Sequence, residues 1–423
     1  MRILHINTAA TRGGAALAAT NISNALSSAG VDSWLLNARE PENINEKVLS
    51  LGESNLRLRI NALAYRLFGV EGYINRRLWK PWLDTIDQFD LIHLHNVHGY
   101  YMPTEVLVIL LSKPCVWTLH DYWLAMGGPA SPLSGNISKS FIEKSLPFSN
   151  FVYPAEWIDR STRRRTKLLS VVAERRPTIV VPSHSSAICI SGLGLSLVPL
   201  TVIPHGFFGD EPAPDDAERK CARIKLGWEI DKHIFLFASS TVDNQQKGFD
   251  IFLNAMFTLP QPDGWVVYVA GGHSTQAQDK AREKNIDMRF LGMLSNDAIK
   301  ECFRACDTYV TPTLSETYGM TVVEAMAEGA QVVCSDLPVL REVSGGEAIF
   351  FAPGDSNALN KELRKLISKI DKPNQLALAS KIRRRFSKSL MANEYINVYK
   401  GVLKSTPKDG DFGIENHHKL SRV

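Results

Sequence analysis

Glu316 and Glu324 stand eight positions apart in the stretch YVTPTLSETYGMTVVEAMAEGAQVV, residues 309–333. The apolar residues before Pro312 predict the end of a buried strand, and Glu316 and Gly319 fall in the loop that follows. Glu324 falls in the first or second turn of a helix closed by Gly329. A helix start exposes unpaired N–H groups and a partial positive charge, which suits a phosphate. An ionised carboxylate only accepts hydrogen bonds, which suits the hydroxyls of a sugar or a ribose. The two together would fit a ligand that carries both, such as a nucleotide sugar. A capped helix with one exposed carboxylate and one ion pair is the plainer reading, so the rest of the chain has to decide.

The elements that must position these groups alternate in type. Residues 2–7 predict a strand, followed by a turn at Thr11-Arg12-Gly13-Gly14, a helix over 15–29 and a strand over 31–37. This βαβ opening generates a parallel sheet with helices on its faces. Gly13 and Gly14 follow the first strand's carboxyl end, where open α/β sheets bind ligands. They do not form the dinucleotide fingerprint, and a tight turn is the plainer reading. Residues 90–95 and 115–120 predict strands that each end in a histidine, and His120-Asp121 places a polar pair at such an end. Further strands are expected at 178–182 and 201–205. The second half repeats the alternation, with strands at 233–239, 265–270, 288–292, 307–311 and 331–335, and with Lys247-Gly248 just before a helix over 249–258.

The expected fold class is therefore α/β, with two tandem doubly wound, Rossmann-like domains. The expected boundaries are 1–205 for the first domain, 206–218 for a linker rich in Pro, Asp and Glu, and 219–388 for the second domain. A terminal helix at 389–405 is expected to return to the first domain, and 406–423 reads as a loose tail.

A length of 423 residues suits two domains of roughly 200 residues each. A net charge of +4 is too small for this length to argue for nucleic-acid binding. The six cysteines form no CxxC pair, so free buried thiols in a reducing compartment are expected. Cys302 and Cys306 are one helical turn apart, but no nearby histidine completes a metal set. The N-terminus turns polar by Asn7, unlike a signal peptide, and no window approaches the ~18 to 20 apolar residues of a membrane span. A cytoplasmic location follows as the expectation. Residues 56–83 interleave Arg57, Arg59, Arg66, Arg76, Arg77 and Lys80 with Tyr65, Phe68, Tyr73, Trp79 and Trp82. Such a segment can rest on the inner, anionic face of a membrane, or can form an ordinary amphipathic surface helix pair. A second basic run (Arg163, Arg164, Arg165, Lys167, Arg175, Arg176) lies in a helix expected over 157–176, where a solvated face is the favoured reading.

Pro312, Glu316, Gly319, Glu324, Ala325, Ala327 and Gly329 together resemble the signature of the retaining glycosyltransferases of GT-B fold that carry a Glu-x7-Glu motif. The resemblance covers nearly the whole chain, including the early GG loop, TLHD, VIPHG, KGFD and VAGG. The run Thr118, His120, Asp121, Trp123, Gly127, Gly128 looks like a branch serving exopolysaccharide and O-antigen synthesis. The resemblance implies two domains facing across a cleft. It implies a UDP- or GDP-linked sugar as co-substrate, with no metal and no other cofactor. The implied acceptor is a saccharide or a polyprenyl-diphosphate-linked saccharide. By position, Glu324 would hold the ribose, Glu316 the donor sugar, and the N–H groups around Gly319, Met320 and Thr321 the diphosphate. Lys247 would neutralise the leaving diphosphate, Gly13 and Gly14 would let their loop approach donor and acceptor, and the backbone near Gly292 would meet the base. His120 would sit by the sugar ring, so His120, Lys247 and Glu316 are the implied catalytic residues. Arg12 and Asp121 stand on the acceptor side.

Glycosyl transfer builds negative charge on the leaving diphosphate, and a lysine beside a helix N-terminus can stabilise that charge without a metal. No DxD motif stands at a strand end, since Asp215-Asp216 lies in the expected linker. The sequence departs from the family in two places. Residues 239–243 hold no second basic residue ahead of Lys247, so either another cation such as Arg12 serves or the phosphates rest on fewer charges, with lower affinity or rate. Residues 129–149 hold no cysteine, unlike the cysteine-rich insertion of related chains. Two alternatives stay open: a sugar-nucleotide epimerase of the same architecture, and a catalytically weakened scaffold subunit of a polysaccharide assembly complex.

Overall fold

The structure is a computed structural model that describes residues 1–10, 13–39, 46–127, 160–195, 198, 200–260, 264–272, 275–368 and 375–405. The expectations placed on Arg12, on Gly128, on the 129–149 segment and on the tail at 406–423 lie outside the described residues.

Two parallel sheets carry the molecule. The first joins β1 (Arg2–Asn7), β2 (Asp32–Asn37), β3 (Val48–Ser50), β4 (Leu91–Leu94), β5 (Cys115–Thr118), β6 (Thr178–Val181) and β7 (Leu200–Val202), in the order β3-β2-β1-β4-β5-β6-β7. The second joins β8 (His233–Thr241), β9 (Trp265–Gly272), β10 (Met288–Gly292), β11 (Thr308–Thr311), β12 (Gln331–Ser335) and β13 (Ile349–Phe351), in the order β10-β9-β8-β11-β12-β13. The central strands are apolar and buried along their length, because helices cover both faces of each sheet. Strand order reverses between β1 and β4 in the first sheet and between β8 and β11 in the second. At such a switch point the two neighbouring connections leave to opposite faces and open a crevice at the carboxyl ends of the strands. The Gly13 loop follows β1, and His95 follows β4. The Lys247 loop follows β8, and the Glu316 loop follows β11. Topology alone thus sets the candidate residues at two facing crevices.

The helix Lys388–Ser405 packs on the first sheet. Its Met391, Ala392, Tyr395 and Tyr399 share one core with Ile3, Leu91, Val116, Val180 and Ile203. The chain crosses at Phe207-Phe208, where Phe207 N–H donates to the Phe386 carbonyl at 2.9 Å and Lys388 N–H to the Phe208 carbonyl at 2.8 Å. The expected linker is shorter than 206–218. Asp215 and Glu218 form a reciprocal capping box, so a helix, Asp216–Leu226, already starts inside it.

The basic aromatic segment forms the helices Asn55–Phe68 and Arg76–Thr85. The second basic run lies on the helix Ser161–Arg175 and its C-cap Arg176, with Arg163, Lys167, Arg175 and Arg176 exposed and Arg164 and Arg165 half-buried. Arg165 donates to the Leu193 carbonyl and Arg164 to the Gly127 carbonyl, and the Arg164 guanidinium lies 4.6 Å from the Tyr65 ring centre. Among the described residues no helix is long and apolar enough to cross a membrane.

Candidate active site

Two loops build the second crevice. In the loop after β8 the Asn244 side chain accepts from Gln246 N–H and winds a single turn, Gln245–Lys247. The Gln246 carbonyl then accepts from Leu314 N–H at 2.7 Å and from the Thr313 hydroxyl at 3.0 Å, which ties this loop to the one after β11. That tie sets Lys247 Nζ 2.9 Å from Glu316 Oε2, both half-buried. Burial pushes the Glu316 carboxyl up. The Lys247 charge and hydrogen bond, with the N–H groups of Thr317 and Tyr318, outweigh burial and hold it below the usual range.

Gly319 starts the helix Met320–Ala327 at φ +91°, a left-handed backbone that side chains avoid, and no side chain caps it. A Cβ there would also meet Leu340 Cδ2 at 2.6 Å. The open helix start lies beside Glu316, whose Cγ would stand 3.8 Å from a Cβ at Gly319. The Thr321 hydroxyl accepts from Tyr309 at 2.9 Å, which pins the first turn to β11.

Glu324 lies one turn further on, at the wall of a cavity of about 250 Å³ shared with Leu17, Asn21, Phe207, Lys300 and Met320. Burial and the nearby Glu328 charge raise its carboxyl to about 7, against the opposing pull of Lys300. Glu328 itself is buried in ion pairs with Arg383 at 2.6 Å, Arg304 at 2.8 Å and Lys300 at 3.8 Å. Gly292 ends β10 opposite Ala270 of β9, and the Gly272 N–H at the end of β9 meets Met293 Sδ at 3.0 Å.

The first domain supplies the facing wall. Gly13 has φ +92° with nothing within 4 Å of where a Cβ would stand, so it is an open left-handed turn. Gly14 is the close approach, since a Cβ there would run into the Met320 methyl across the cleft. Asp121 is more engaged than its acceptor role implies. Its Oδ2 lies 2.7 Å from His98 Nε2, and its Oδ1 accepts from Trp123 N–H at 2.9 Å. Burial alone would push the His98 pKa down, but Asp121, with Glu71, raises it.

His120 belongs to a row of five histidines that sequence reasoning only partly found. His5, His93, His95, His120 and His205 come from strands β1, β4, β5 and β7 or the residues just past their ends, and parallel register brings them to one face. His5 Nδ1 lies 2.9 Å from His95 Nε2, and His95 Nδ1 lies 2.9 Å from His120 Nε2. His120 stacks on His205 at 5.2 Å, and His205 meets the edge of Tyr318 at 4.8 Å. Tyr318 stands directly before Gly319, so the row reaches the second domain's binding loop. His93 bonds Thr118 at 2.8 Å and Tyr399 at 2.6 Å, and Tyr395 closes on Thr118 at 3.0 Å. His5, His93 and His95 offer nitrogens within 4.8 Å of one another, as a metal set would. Those of His93 and His95 are spent on the hydrogen bonds just described. Burial keeps all five rings uncharged, with His5 lowered to about 3 and His205 to about 4.

The two domains also touch beside the cleft. The Glu342 carboxylate accepts from His184 N–H at 2.7 Å, from Ser185 N–H at 2.8 Å and from the Ser185 hydroxyl at 2.7 Å. The Ser186 hydroxyl donates to the Thr317 carbonyl at 2.9 Å.

Comparison with known proteins agrees with this layout. Residues 12–208 match the family described as Glycosyltransferase Family 4, and residues 232–369 match Glycosyl transferases group 1. A phosphatidyl-myo-inositol mannosyltransferase of Mycobacterium leprae is 31% identical over 172 residues, 39% of this chain and 46% of that protein. The lipopolysaccharide core biosynthesis mannosyltransferase LpsB of Rhizobium meliloti is 27% identical over 259 residues, 58% of this chain and 70% of that protein. The chain spans about half the length of the first curated relatives it matches. Among solved structures, sucrose-phosphate synthase from Thermosynechococcus elongatus superposes with a TM-score of 0.69 at 16% identity, covering 96% of this chain and 100% of that one. Anabaena HepE in complex with UDP-glucose gives 0.67 at 16%, covering 95% and 100%. The chain has the two-domain GT-B fold, and its two halves match glycosyltransferase families.

Proposed function

We propose that this protein is a retaining hexosyltransferase. It moves a sugar from a UDP- or GDP-linked donor to a saccharide or polyprenyl-diphosphate-linked saccharide in cell-surface polysaccharide biosynthesis. The observation that carries the reading is the Lys247–Glu316 pair set against the uncapped start of the Met320–Ala327 helix. One cation and several aligned N–H groups meet where a diphosphate would sit, and a carboxylate waits beside them for hydroxyls. Two relatives that are mannosyltransferases, and a structural neighbour holding UDP-glucose, support a nucleotide sugar and a glycan or lipid-linked acceptor.

In this reading the diphosphate lies on the N–H groups of Gly319, Met320 and Thr321. Lys247 turns from Glu316 toward it as charge grows on the leaving group, and this preorganised charge lowers the barrier. Glu316, released from its partner, accepts from donor-sugar hydroxyls, and Glu324 accepts from the ribose. His120 stands beside the sugar ring, Gly292 beside the base, and the Gly13-Gly14 loop, Arg12 and Asp121 on the acceptor side. No step calls for a metal.

The acceptor's lipid would reach the site from an anionic bilayer. Leu56, Ile60, Leu63 and Leu67 form one exposed face of the helix Asn55–Phe68, continued by Phe68 and Tyr73, with Arg59 exposed beside it. An apolar stripe flanked by arginine suits the surface of such a membrane.

Radiolabelled UDP- and GDP-sugars with a lipid-linked acceptor test the reading. Transfer of label to the acceptor with the donor's anomeric configuration supports it. Interconversion of the nucleotide sugar without acceptor would mean an epimerase, and absence of any donor binding would mean a scaffold.

A further inference from the structure

The three rings His5, His95 and His120 form an unbroken hydrogen-bonded chain, each contact 2.9 Å long. In neutral imidazoles such a chain has only two proton arrangements, because each ring carries one N–H and one bare nitrogen. In one, every Nδ1 carries the proton, His5 donates to His95, His95 donates to His120, and His120 offers Nδ1–H at the end. In the other, every Nε2 carries the proton, all donors reverse, and His120 ends in a bare Nδ1.

The two ends of the chain are not equivalent. His5 is 0% exposed, and its Nε2 has no partner among the described residues. His120 is the least buried ring of the row at 9%, and its Nδ1 likewise has no partner among the described residues. The second arrangement strands an N–H at the dry end, where nothing can accept it. The first leaves a bare nitrogen there and moves the unpartnered N–H to His120, whose Nδ1 is itself buried but whose ring, 9% exposed, stands nearest the cleft, where a ligand oxygen can accept from it.

We propose that His95 and His5 are positioning residues that lock His120 in its Nδ1–H tautomer, so that His120 is a neutral donor aimed at an oxygen of the bound sugar. That this oxygen is a sugar's rests on the function proposed above; the tautomer itself does not. Stacking of His120 on His205 fixes the ring plane while the chain fixes the proton. His93 stands outside the chain, because Thr118 and Tyr399 take its two nitrogens.

The full-length protein with 15N-labelled histidine tests this by long-range proton–nitrogen correlation, without any substrate. The expected spectrum shows His120 protonated at Nδ1 and bare at Nε2. His95→Leu and His5→Leu should each shift His120 toward the Nε2–H form, while His5→Asn, which keeps a donor near the Nδ1 position, should restore the Nδ1–H form. Tyr395→Phe, on the neighbouring branch, should leave it unchanged. In a transfer assay His95→Leu should lower kcat about tenfold, the usual scale for an outer partner that orients a working imidazole, with donor KM unchanged. A wild-type His120 protonated at Nε2 would overturn the proposal even if no variant folds. So would joint displacement of the His5, His93 and His95 signals by added zinc, which would make the cluster a metal site. A correct tautomer in a protein that transfers no sugar would leave the lock standing and sink the transferase reading alone.

Discussion

Lys247 Nζ lies 2.9 Å from Glu316 Oε2, so the cation placed for the leaving diphosphate is held by the carboxylate placed for the sugar. Each group keeps the other satisfied in the half-buried crevice until a donor takes the place of the internal partner. The β8 and β11 loops that carry them are themselves joined through the Gln246 carbonyl, so the pair is positioned by backbone.

Lys247→Ala should therefore act on turnover. Loss of the one described cation bonded to Glu316 should lower kcat by about 100-fold or more, since the charge it meets is larger in the transition state. Nucleotide-sugar KM should change far less. Steady-state kinetics with matched circular dichroism spectra separate this from misfolding, and a wild-type kcat would remove Lys247 from the mechanism.

Glu324 gives a prediction in pH. Its folded carboxyl titrates at about 7 because of burial and Glu328, above the 4.5 of the free side chain. Between those values the folded state holds a proton that the unfolded state has lost, so this residue's contribution falls as pH rises through the window. Glu324→Gln should raise Tm by a few degrees at pH 8 and leave it nearly unchanged near pH 4.5. Nucleotide affinity should move the other way. In the wild type it should strengthen from pH 6 to pH 8 as the carboxylate forms, and in Glu324→Gln it should be weaker and flat. Calorimetric titration at the two pH values reads both.

The pair His98–Asp121 has the same pH sign, although here it is the charged form that the fold favours. His98 is raised above its ordinary value, so its stabilisation is present below about 6.5 and is lost as pH rises through the raised pKa. Asp121→Asn should lower Tm more at pH 6 than at pH 9. If Asp121 also serves the acceptor, the same variant should raise acceptor KM at both pH values, which separates the two roles.

Glu342 bonds the second domain to the start of the helix His184–Ile190 in the first. Glu342→Ala should favour the open arrangement, seen as a larger radius of gyration in small-angle scattering and a several-fold higher donor KM. An unchanged radius would show that the remaining contacts hold the domains together.

Much of this was legible in the sequence because it is local. Apolar runs ending in glycine or a polar pair gave most strands of both sheets, and Gly319 marked a helix start through its lack of a side chain, whereas the helix start capped by Asp215 was read as linker. The Glu316–Glu324 spacing and Lys247-Gly248 gave the second crevice for the same reason. The histidine row was not legible as a row, since residues 5, 93, 95, 120 and 205 meet only through parallel register across four strands. The signal was there in part: each histidine is in or beside an apolar strand near its carboxyl end. The inner face of the terminal helix was not legible, because it uses Tyr395 and Tyr399, which read as polar until their hydroxyls find Thr118 and His93. Glu342 gave no signal at all, because its partners are two backbone N–H groups and a serine hydroxyl of another domain.

The central claim is that the crevice between β8 and β11 binds a nucleotide sugar through its diphosphate and ribose. A thermal-shift screen of UDP- and GDP-sugars against the wild type and Glu324→Ala tests it most directly, since a ligand that binds the folded state raises Tm by mass action. The account predicts that at least one nucleotide sugar raises the wild-type Tm and that the rise is largely lost in Glu324→Ala. A wild type that responds to none of them, or a variant that responds equally, would contradict it.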